Sequence, residues 1–306
     1  MISELYKSFL SLTIIMVWVD LHLQTNFADG IIDLESVIEI AMATGLDVIS
    51  IADRDSLAAQ DYIEGEVINL NSSMIIIPGV KITTTKNDIL GYGINSGCPE
   101  LRNLVEKNAK LRDKANLDAV AYLHKITTIP FTPNQYERES VGVGNNIITA
   151  MLKYPETRAW LHKHYYGRTT SDLHQELFGP KGMSPISLYL GLPTQEEAIT
   201  TIHQAGGLAV LASEGTRSLK LKEIAQIKNL DGIEVPTYSI SEPEQYEVFA
   251  KTLEIMRTYG SGFTGLEREG MMLQRGEHWM PKDEIYYLMQ GCMPPKQLEE
   301  RLKDLR

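Results

Sequence analysis

The residues best suited to chemistry lie close together near the start of the chain. Asp20 and His22 end an apolar segment that begins at residue 13, and Asp29 follows in the next polar stretch. Parallel α/β folds place their chemistry at the carboxyl ends of buried strands. Carboxylate and imidazole groups there can bind a divalent metal that activates water. The alternative is that both residues have structural roles only. In that case Asp20 is hydrogen-bonded at the end of the strand and His22 lies at the surface.

Strand-like and helix-like segments alternate around these residues. The predicted strands are residues 13–23, 47–52, 74–77, 89–94, 208–212 and 232–235, and the predicted helices are 34–44, 58–64, 195–205, 221–228 and 242–259. Repeated βα units with apolar strands predict a parallel sheet covered by helices, either a barrel or a doubly wound sheet. The charged, helical stretch at 99–183 predicts an insertion in a loop of that sheet.

The composition is that of an acidic globular protein. The 306 residues include 40 Asp and Glu against 29 Lys and Arg, for a net charge of −11. Such a surface repels nucleic acid at long range, so nucleic acid is not the expected partner. Cys98 and Cys292 lie far apart, which indicates free thiols in a reducing compartment. The apolar run at 12–19 is shorter than the about 20 residues of a membrane span, and no signal-peptide cleavage site follows it. We therefore expect a cytoplasmic protein that does not bind a membrane.

Seven motifs follow one another in a fixed order along the chain. They are Asp20-Leu21-His22-Leu23-Gln24-Thr25 with Ala28-Asp29-Gly30, then Ala52-Asp53-Arg54-Asp55, Pro78-Gly79-Val80-Lys81, Asp88-Ile89-Leu90-Gly91, Ala205-Gly206-Gly207 with Ala212-Ser213, Asp231-Gly232-Ile233-Glu234, and Gly260-Ser261-Gly262-Phe263-Thr264-Gly265. Over residues of about 16 to 266 they resemble the PHP (polymerase and histidinol phosphatase) superfamily. Within it, they are most similar to the branch of 3′,5′-nucleoside bisphosphate phosphatases and 5′-exoribonucleases.

The resemblance implies an α/β fold, a distorted (β/α)7-type PHP barrel with a helical insertion domain. We expect the first part of the barrel at 1–98, the helical insertion at 99–185, the second part of the barrel at 186–270, and a tail at 271–306 that packs on the barrel. The stretch at 271–293 is rich in methionine and aromatic residues. It could instead form an adaptable surface for a protein partner.

Members of this superfamily bind two or three divalent metals with His, Asp and Glu, and this chain departs from that pattern. The resemblance implies that only His22 and Asp29 are still metal-ligand residues. Asp20, Asp53 and Glu234 are also present, and we interpret them as supporting groups. The other metal positions carry Gln24, Arg54, Lys81, Asp88, Ser213, Gly262 and Thr264. A catalytic zinc site uses at least three protein ligands, so we expect no bound cofactor and no catalytic residue. A divalent metal such as Mn, Zn or Fe, held by His22 and Asp29 with Asp88, is the alternative.

Arg54 and Lys81 place fixed positive charges where the family's metals would lie. We expect them to pair with the carboxylates of Asp20, Asp29, Asp53 and Glu234, because an unpaired buried charge is costly. Together with Arg112 they could hold a phosphate without hydrolysing it. The sequence therefore predicts a pseudoenzyme that binds a protein partner or a phosphorylated ligand. The alternative is a residual metal-dependent phosphoesterase acting on nucleotides or RNA 5′ ends.

Overall fold

A computed structural model describes most of the two halves of the barrel and part of the insertion. The described residues are 16–65, 74–127, 147–148, 151–152, 154–169, 172–173, 176–177, 191–213, 219–237, 244–265, 272, 277–290 and 296. Cys292, Met271 and Met293 lie outside them, as do the first three residues of the predicted first strand.

An eight-stranded mixed sheet, curved almost into a closed barrel, forms the body of the molecule. Its strands are β1 (Met16–Leu23), β2 (Val48–Ile51), β3 (Ile75–Ile82), β4 (Ile89–Tyr92), β5 (Leu208–Leu211), β6 (Gly232–Pro236), β7 (Met256–Gly260) and β8 (Trp279–Pro281), in the order β7-β6-β5-β4-β3-β2-β1-β8. Near the gap between β1 and β7, the amide of Gln24 donates to the carbonyl of Phe263 at 2.9 Å. This contact draws the two sides of the barrel together.

The predicted parallel sheet contains two strands that run antiparallel to their neighbours. β4 runs antiparallel to both β3 and β5, and β8 runs antiparallel to β1, while the remaining neighbours are parallel. Only residues 83–88 connect β3 to β4, which is too short for the crossover that a parallel pair needs. Asp88 therefore lies at the start of β4, beside the carboxyl ends of β3 and β5.

Most of the described helices cover the outside of the sheet, whereas Pro155–His164 packs against Pro99–Thr127 in a separate cluster. The described helices are α1 (Leu34–Ala43), α2 (Ala58–Gly65), α3 (Pro99–Thr127), α4 (Pro155–His164), α5 (Gln195–Gln204), α6 (Leu221–Ile224), α7 (Glu244–Leu253) and α8 (Lys282–Met289). Asp33 caps α1 by accepting from the amide of Ser36 at 2.9 Å, and Thr194 and Glu197 form a capping box on α5. Both are standard ways to satisfy the free amides of a helix start.

Two helix predictions extend too far. The predicted helix 221–228 ends at Ile224 as α6. The predicted helix 242–259 breaks after Leu253, and the residues from Met256 onward form β7 instead. Glu254 takes a positive φ of 54°, which ends the helix. The apolar face that suggested a longer helix belongs to a strand buried in the barrel.

Three apolar clusters lie in the described residues. The largest one fills the barrel and joins it to its covering helices, and Met280, Ile285 and Leu288 of the C-terminal stretch belong to it. A second one joins Leu34 and Val37 of α1 to Leu23 of β1 and Ile51 of β2. A smaller one joins Ala115 and Ala119 of α3 to Ile147, Ile148, Met151, Leu161, Leu173 and Leu177. Within the described residues, no helix is both long and apolar enough to cross a membrane.

Candidate functional site

The predicted site residues gather at one end of the barrel. Asp20 and His22 lie at the end of β1, Arg54 follows β2, Lys81 lies near the end of β3, and Asp88 precedes β4. The remaining ones are Gln24, Asp29, Asp53, Ser213, Glu234, Gly262 and Thr264, which belong to the loops or strand ends of the same region. Barrels of this kind carry their reactive groups at this carboxyl end.

A buried network of His22, Glu234 and Asp20 forms the floor of the site. His22 Nδ1 lies 3.0 and 3.1 Å from the two carboxylate oxygens of Glu234, and the amide of Ser213 donates to Glu234 Oε2 at 2.8 Å. Asp20 Oδ1 accepts from the amide of Ser261 at 2.9 Å. A proton on Nδ1 would be donated to Glu234, and the Nε2 atom of His22 would then present its lone pair.

Gly260 makes room for this floor. A Cβ atom at residue 260 would lie 2.3 Å from the Cβ of His22 and 2.5 Å from Glu234 Oε1. Such separations are far below van der Waals contact, so any larger residue would push His22 and Glu234 apart. The glycine is thus a sequence signal of the close approach between β1, β6 and β7.

Arg54 lies between two carboxylates above the floor. Its Nε donates to Asp29 Oδ2 at 2.5 Å, and its Nη1 donates to Asp88 Oδ2. Lys81 is almost fully buried, and its Nζ lies 3.9 Å from the same oxygen of Asp88. The predicted pairing of Arg54 with Asp29 is confirmed, and Asp88, which was not a predicted partner, contacts both cations. The antiparallel pairing of β3 with β4 brings Asp88 to both cations.

Arg112 reaches the same cluster from α3. Its Nη1 and Nη2 donate to the carbonyl of Arg54 at 3.2 and 3.1 Å, and the guanidinium lies 3.9 Å from Asp29 Oδ1 and 3.8 Å from Asp55 Oδ2. Asn108, one helical turn earlier, donates to Asp55 Oδ1 at 2.8 Å. Neither Asp55 nor Asn108 was among the predicted site residues. The spacing of Asn108 and Arg112 on one helix face was the available signal.

Two carboxylates of the cluster have pKa values shifted in opposite directions. Burial raises the pKa of Asp53 to about 7, although its oxygens accept from the amide and the hydroxyl of Thr25, which oppose the shift. Burial would also raise the pKa of Asp29, but the charges of Arg54 and Arg112 outweigh it and hold that pKa below its usual value. Asp29 is thus the anionic partner of the cations, and Asp53 titrates near neutrality.

The remaining predicted residues act mainly through their backbones. The carbonyl of Thr264 accepts from the amide of Ile31 at 2.8 Å, which ties the loop of Asp29 to the end of β7. Gly262 has a φ of +67°, and a Cβ there would meet no atom within 4 Å. The amide of Ser213 donates to Glu234.

The donors of this region fit a pair of divalent cations poorly. Arg54 holds Asp29 and Asp88, and no group of three or more His, Cys, Asp or Glu arranged for a metal occurs among the described residues. Of the nine buried side-chain atoms without a hydrogen-bond partner in the described residues, His22 Nε2, Gln24 Oε1 and Asp29 Oδ1 belong to the predicted site.

No family model matches the chain, but comparisons with individual proteins give a consistent result. A 5′-3′ exoribonuclease of Haemophilus influenzae is 26% identical over 202 residues, covering 63% of this chain and 67% of the relative. The 5′-3′ exoribonuclease Rnm of Salmonella typhimurium is 25% identical over 264 residues, covering 80% of this chain and 84% of the relative.

Solved structures show the same fold. A protein of Bifidobacterium adolescentis assigned as a metal-dependent phosphoesterase superposes with a TM-score of 0.72 at 19% identity, covering 91% of this chain and 97% of its own. An amidohydrolase of Chromobacterium violaceum, with bound sulfate and no metal, superposes with a TM-score of 0.65 at 20% identity, covering 92% and 96%. The predicted barrel and the resemblance that suggested it are confirmed.

Proposed function

Because this chain has the PHP-type barrel and is similar in sequence to 5′-3′ exoribonucleases, we propose that it binds a phosphorylated nucleotide at the carboxyl end of the barrel without hydrolysing it. The phosphate would lie against Arg54 and Arg112, with Lys81 beneath. The observation that carries the proposal is the convergence of these three cations from β2, β3 and α3 on one cluster.

The cations suit a phosphate in geometry and in access. Arg54 and Arg112 keep 24% and 12% of their side-chain surface exposed, so an anion can reach them from solvent. A guanidinium presents a planar set of donors that matches phosphate oxygens in pairs. Lys81 is 1% exposed and adds a fixed positive charge below. The overall negative charge of the protein favours a mononucleotide over a long polyanion.

Asp88 occupies the position where such a phosphate would bind. Its carboxylate contacts both Arg54 and Lys81 and remains 18% exposed. A phosphate carries more charge and more acceptor oxygens than a carboxylate, so it can replace Asp88 on the same donors. The carboxylate would move into solvent, which costs little for a group at the edge of the site. In this account Asp88 neutralises the cations when no ligand is bound.

A second candidate is the metal-dependent phosphoesterase acting on nucleotides or RNA 5′ ends. Similarity to 5′-3′ exoribonucleases at 25–26% identity favours it, and so do the three unpartnered atoms of His22, Gln24 and Asp29. A divalent cation, when bound, supplies an activated water and neutralises phosphate charge. For this chain, Glu234 would orient the His22 ring, and Asp29 would have to share its charge with Arg54.

Binding and hydrolysis measured on one preparation separate the two candidates. Adenosine 5′-monophosphate, adenosine 3′,5′-bisphosphate and a short 5′-phosphorylated RNA are tested for binding by calorimetry and for product release, each with EDTA and with Mn²⁺. The proposal predicts binding in EDTA and no product in either condition. Turnover with Mn²⁺ that His22→Ala abolishes would establish the phosphoesterase instead. Arg102→Ala, which removes a more exposed arginine paired with Asp61, is the matched control.

A further inference from the structure

Two partly exposed apolar residues flank Asp29 in the loop that joins β1 to α1. Phe27 keeps 42% and Ile31 keeps 56% of its surface exposed. Asp29, the partner of Arg54, lies between them in the same loop. Two residues of chain span at most about 7 Å, so the backbone of Phe27 lies within that distance of the Asp29 backbone. The loop therefore carries partly exposed apolar side chains next to a residue that contacts Arg54 and Arg112, two members of the cation cluster formed by Arg54, Lys81 and Arg112.

Hydrogen bonds hold the backbone of the loop at Phe27. The amide of Phe27 donates to Thr25 Oγ1 at 3.2 Å, and the amides of Ala28 and Gly30 both donate to the carbonyl of Thr25 at 3.0 Å. Thr25 is itself held by Asp53, which accepts from its hydroxyl at 2.7 Å. The backbone that carries the ring is therefore ordered before a ligand binds, which lowers the entropic cost of binding.

The ring of Phe27 has an aromatic neighbour among the described residues. The centroid of Tyr62 on α2 lies 6.4 Å away with the two planes inclined at 43°, and the Tyr62 hydroxyl is anchored on Glu35 of α1. An inclined pair at this distance does not stack the two rings face to face. The arrangement supports Phe27 from the side and leaves 42% of its surface open.

We propose that Phe27, flanked by Ile31, binds the base of the nucleotide whose phosphate lies at Arg54 and Arg112. This inference rests on the proposed function and names the second half of the ligand. Aromatic side chains stack on any nucleobase, because every base offers a flat π face. The subsite therefore adds affinity for nucleotides over sugar phosphates without selecting one base. Stacking on one aromatic residue improves affinity about tenfold.

A comparison of two ligands isolates the contribution of the base. Adenosine 5′-monophosphate and ribose 5-phosphate carry the same phosphate and sugar, and only the first carries a base. We expect wild-type protein in EDTA to bind the nucleotide about tenfold more tightly. Phe27→Ala should bring the two affinities together by weakening nucleotide binding alone. Phe27→Trp should keep the preference, and its added indole fluorescence should be quenched by the nucleotide.

The controls distinguish this inference from the function on which it rests. Tyr287→Ala removes a similarly exposed aromatic residue of α8, and it should leave both affinities unchanged. Equal wild-type affinities for the two ligands, or a preference that survives Phe27→Ala, would overturn the base subsite while phosphate binding stands. Binding of neither ligand would overturn the proposed function and this inference with it.

Discussion

Arg54 determines the chemistry available at the mouth of the barrel. Its guanidinium is held by Asp29 and Asp88, so both carboxylates have a permanent cationic partner. Lys81 adds a second charge at Asp88, and Arg112 adds a third near Asp29. A group that must bind here has to compete with an existing ion pair, and an anion can do so by replacing Asp88. Asp88 is therefore the side chain that we expect to limit the affinity for an anionic ligand.

Replacing Asp88 with asparagine should strengthen phosphate binding. The change keeps the shape of the side chain and removes the negative charge that contacts Arg54 and Lys81. We expect the affinity for adenosine 5′-monophosphate to rise about tenfold or more, the scale of one hydrogen bond to a charged group. Calorimetric titration of the variant measures it, with Asp61→Asn as a control at the exposed pair with Arg102. Unchanged affinity in Asp88→Asn would contradict the replacement of Asp88 by phosphate.

The two shifted carboxylates predict how stability depends on pH. Because the pKa of Asp53 is raised to about 7 in the folded state, the folded protein binds more protons than the unfolded chain between pH 4 and 7. Its contribution to the free energy of unfolding therefore falls as pH rises through that range. Because the pKa of Asp29 is lowered, its contribution is present above the unfolded pKa and is lost as pH falls through the folded pKa.

Urea denaturation at a series of pH values tests both contributions. Asp53→Asn should remove part of the decline between pH 4 and 7, and Asp29→Asn should remove part of the loss at acid pH. The two variants act in different pH windows, so each serves as the control for the other. Identical pH profiles for wild type and Asp53→Asn would mean that Asp53 does not titrate near neutrality.

At the scale of elements, the barrel depends on how closely β1, β6 and β7 approach one another. Gly260 of β7 lies against His22 of β1 and Glu234 of β6, where no Cβ atom fits. Gly262, two residues later, has open space around its missing Cβ but a positive φ. Gly260 is thus required because the strands pack too closely for a side chain, and Gly262 because of its backbone conformation.

Substitution of these two glycines by alanine should give different losses of stability. Gly260→Ala forces strand β7 away from His22 and Glu234, and we expect a loss of about 3 kcal/mol or more in the free energy of unfolding. Gly262→Ala meets only the cost of a left-handed backbone, about 1–2 kcal/mol. Chemical denaturation of both variants measures the difference. Equal losses would show that β1, β6 and β7 can separate at little cost.

The sequence predicted most elements and most of the site, and its errors have physical causes. β1, α1 and α5 followed from their apolar periodicity and their caps, whereas β7 was taken for helix because its apolar residues continue the pattern of α7. The pairing of Asp88 with Arg54 depends on the antiparallel register of β3 and β4. The contact of Asn108 with Asp55 depends on how α3 docks. Neither register nor docking is encoded in local patterns.

At the scale of the whole molecule, one apolar core joins the barrel to its helices, and cations of the chain itself lie at the carboxylates of one end. The barrel core runs continuously from β1 to α8. Three cations face Asp29, Asp55 and Asp88 at one end of it. We propose that these cations serve as the counter-charge of the carboxylates in place of a bound metal.

We expect the purified protein to contain less than one equivalent of Mn, Zn or Fe, and its melting temperature to be unchanged by EDTA. Ligands that bind only the folded state raise its stability, so a metal at the site would be revealed by the loss of that stabilisation on chelation. Elemental analysis and thermal melts on the same preparation check both statements. Two bound metals per chain, with a matching drop in melting temperature in EDTA, would show a working di-metal centre.

Titration of adenosine 5′-monophosphate into metal-free protein in EDTA tests the central claim most directly. We predict saturable binding of one nucleotide per chain. Nucleotide binding should be lost in Arg54→Ala and retained in Arg102→Ala. Absence of binding in EDTA, together with binding and nucleotide turnover once Mn²⁺ is supplied, would contradict it.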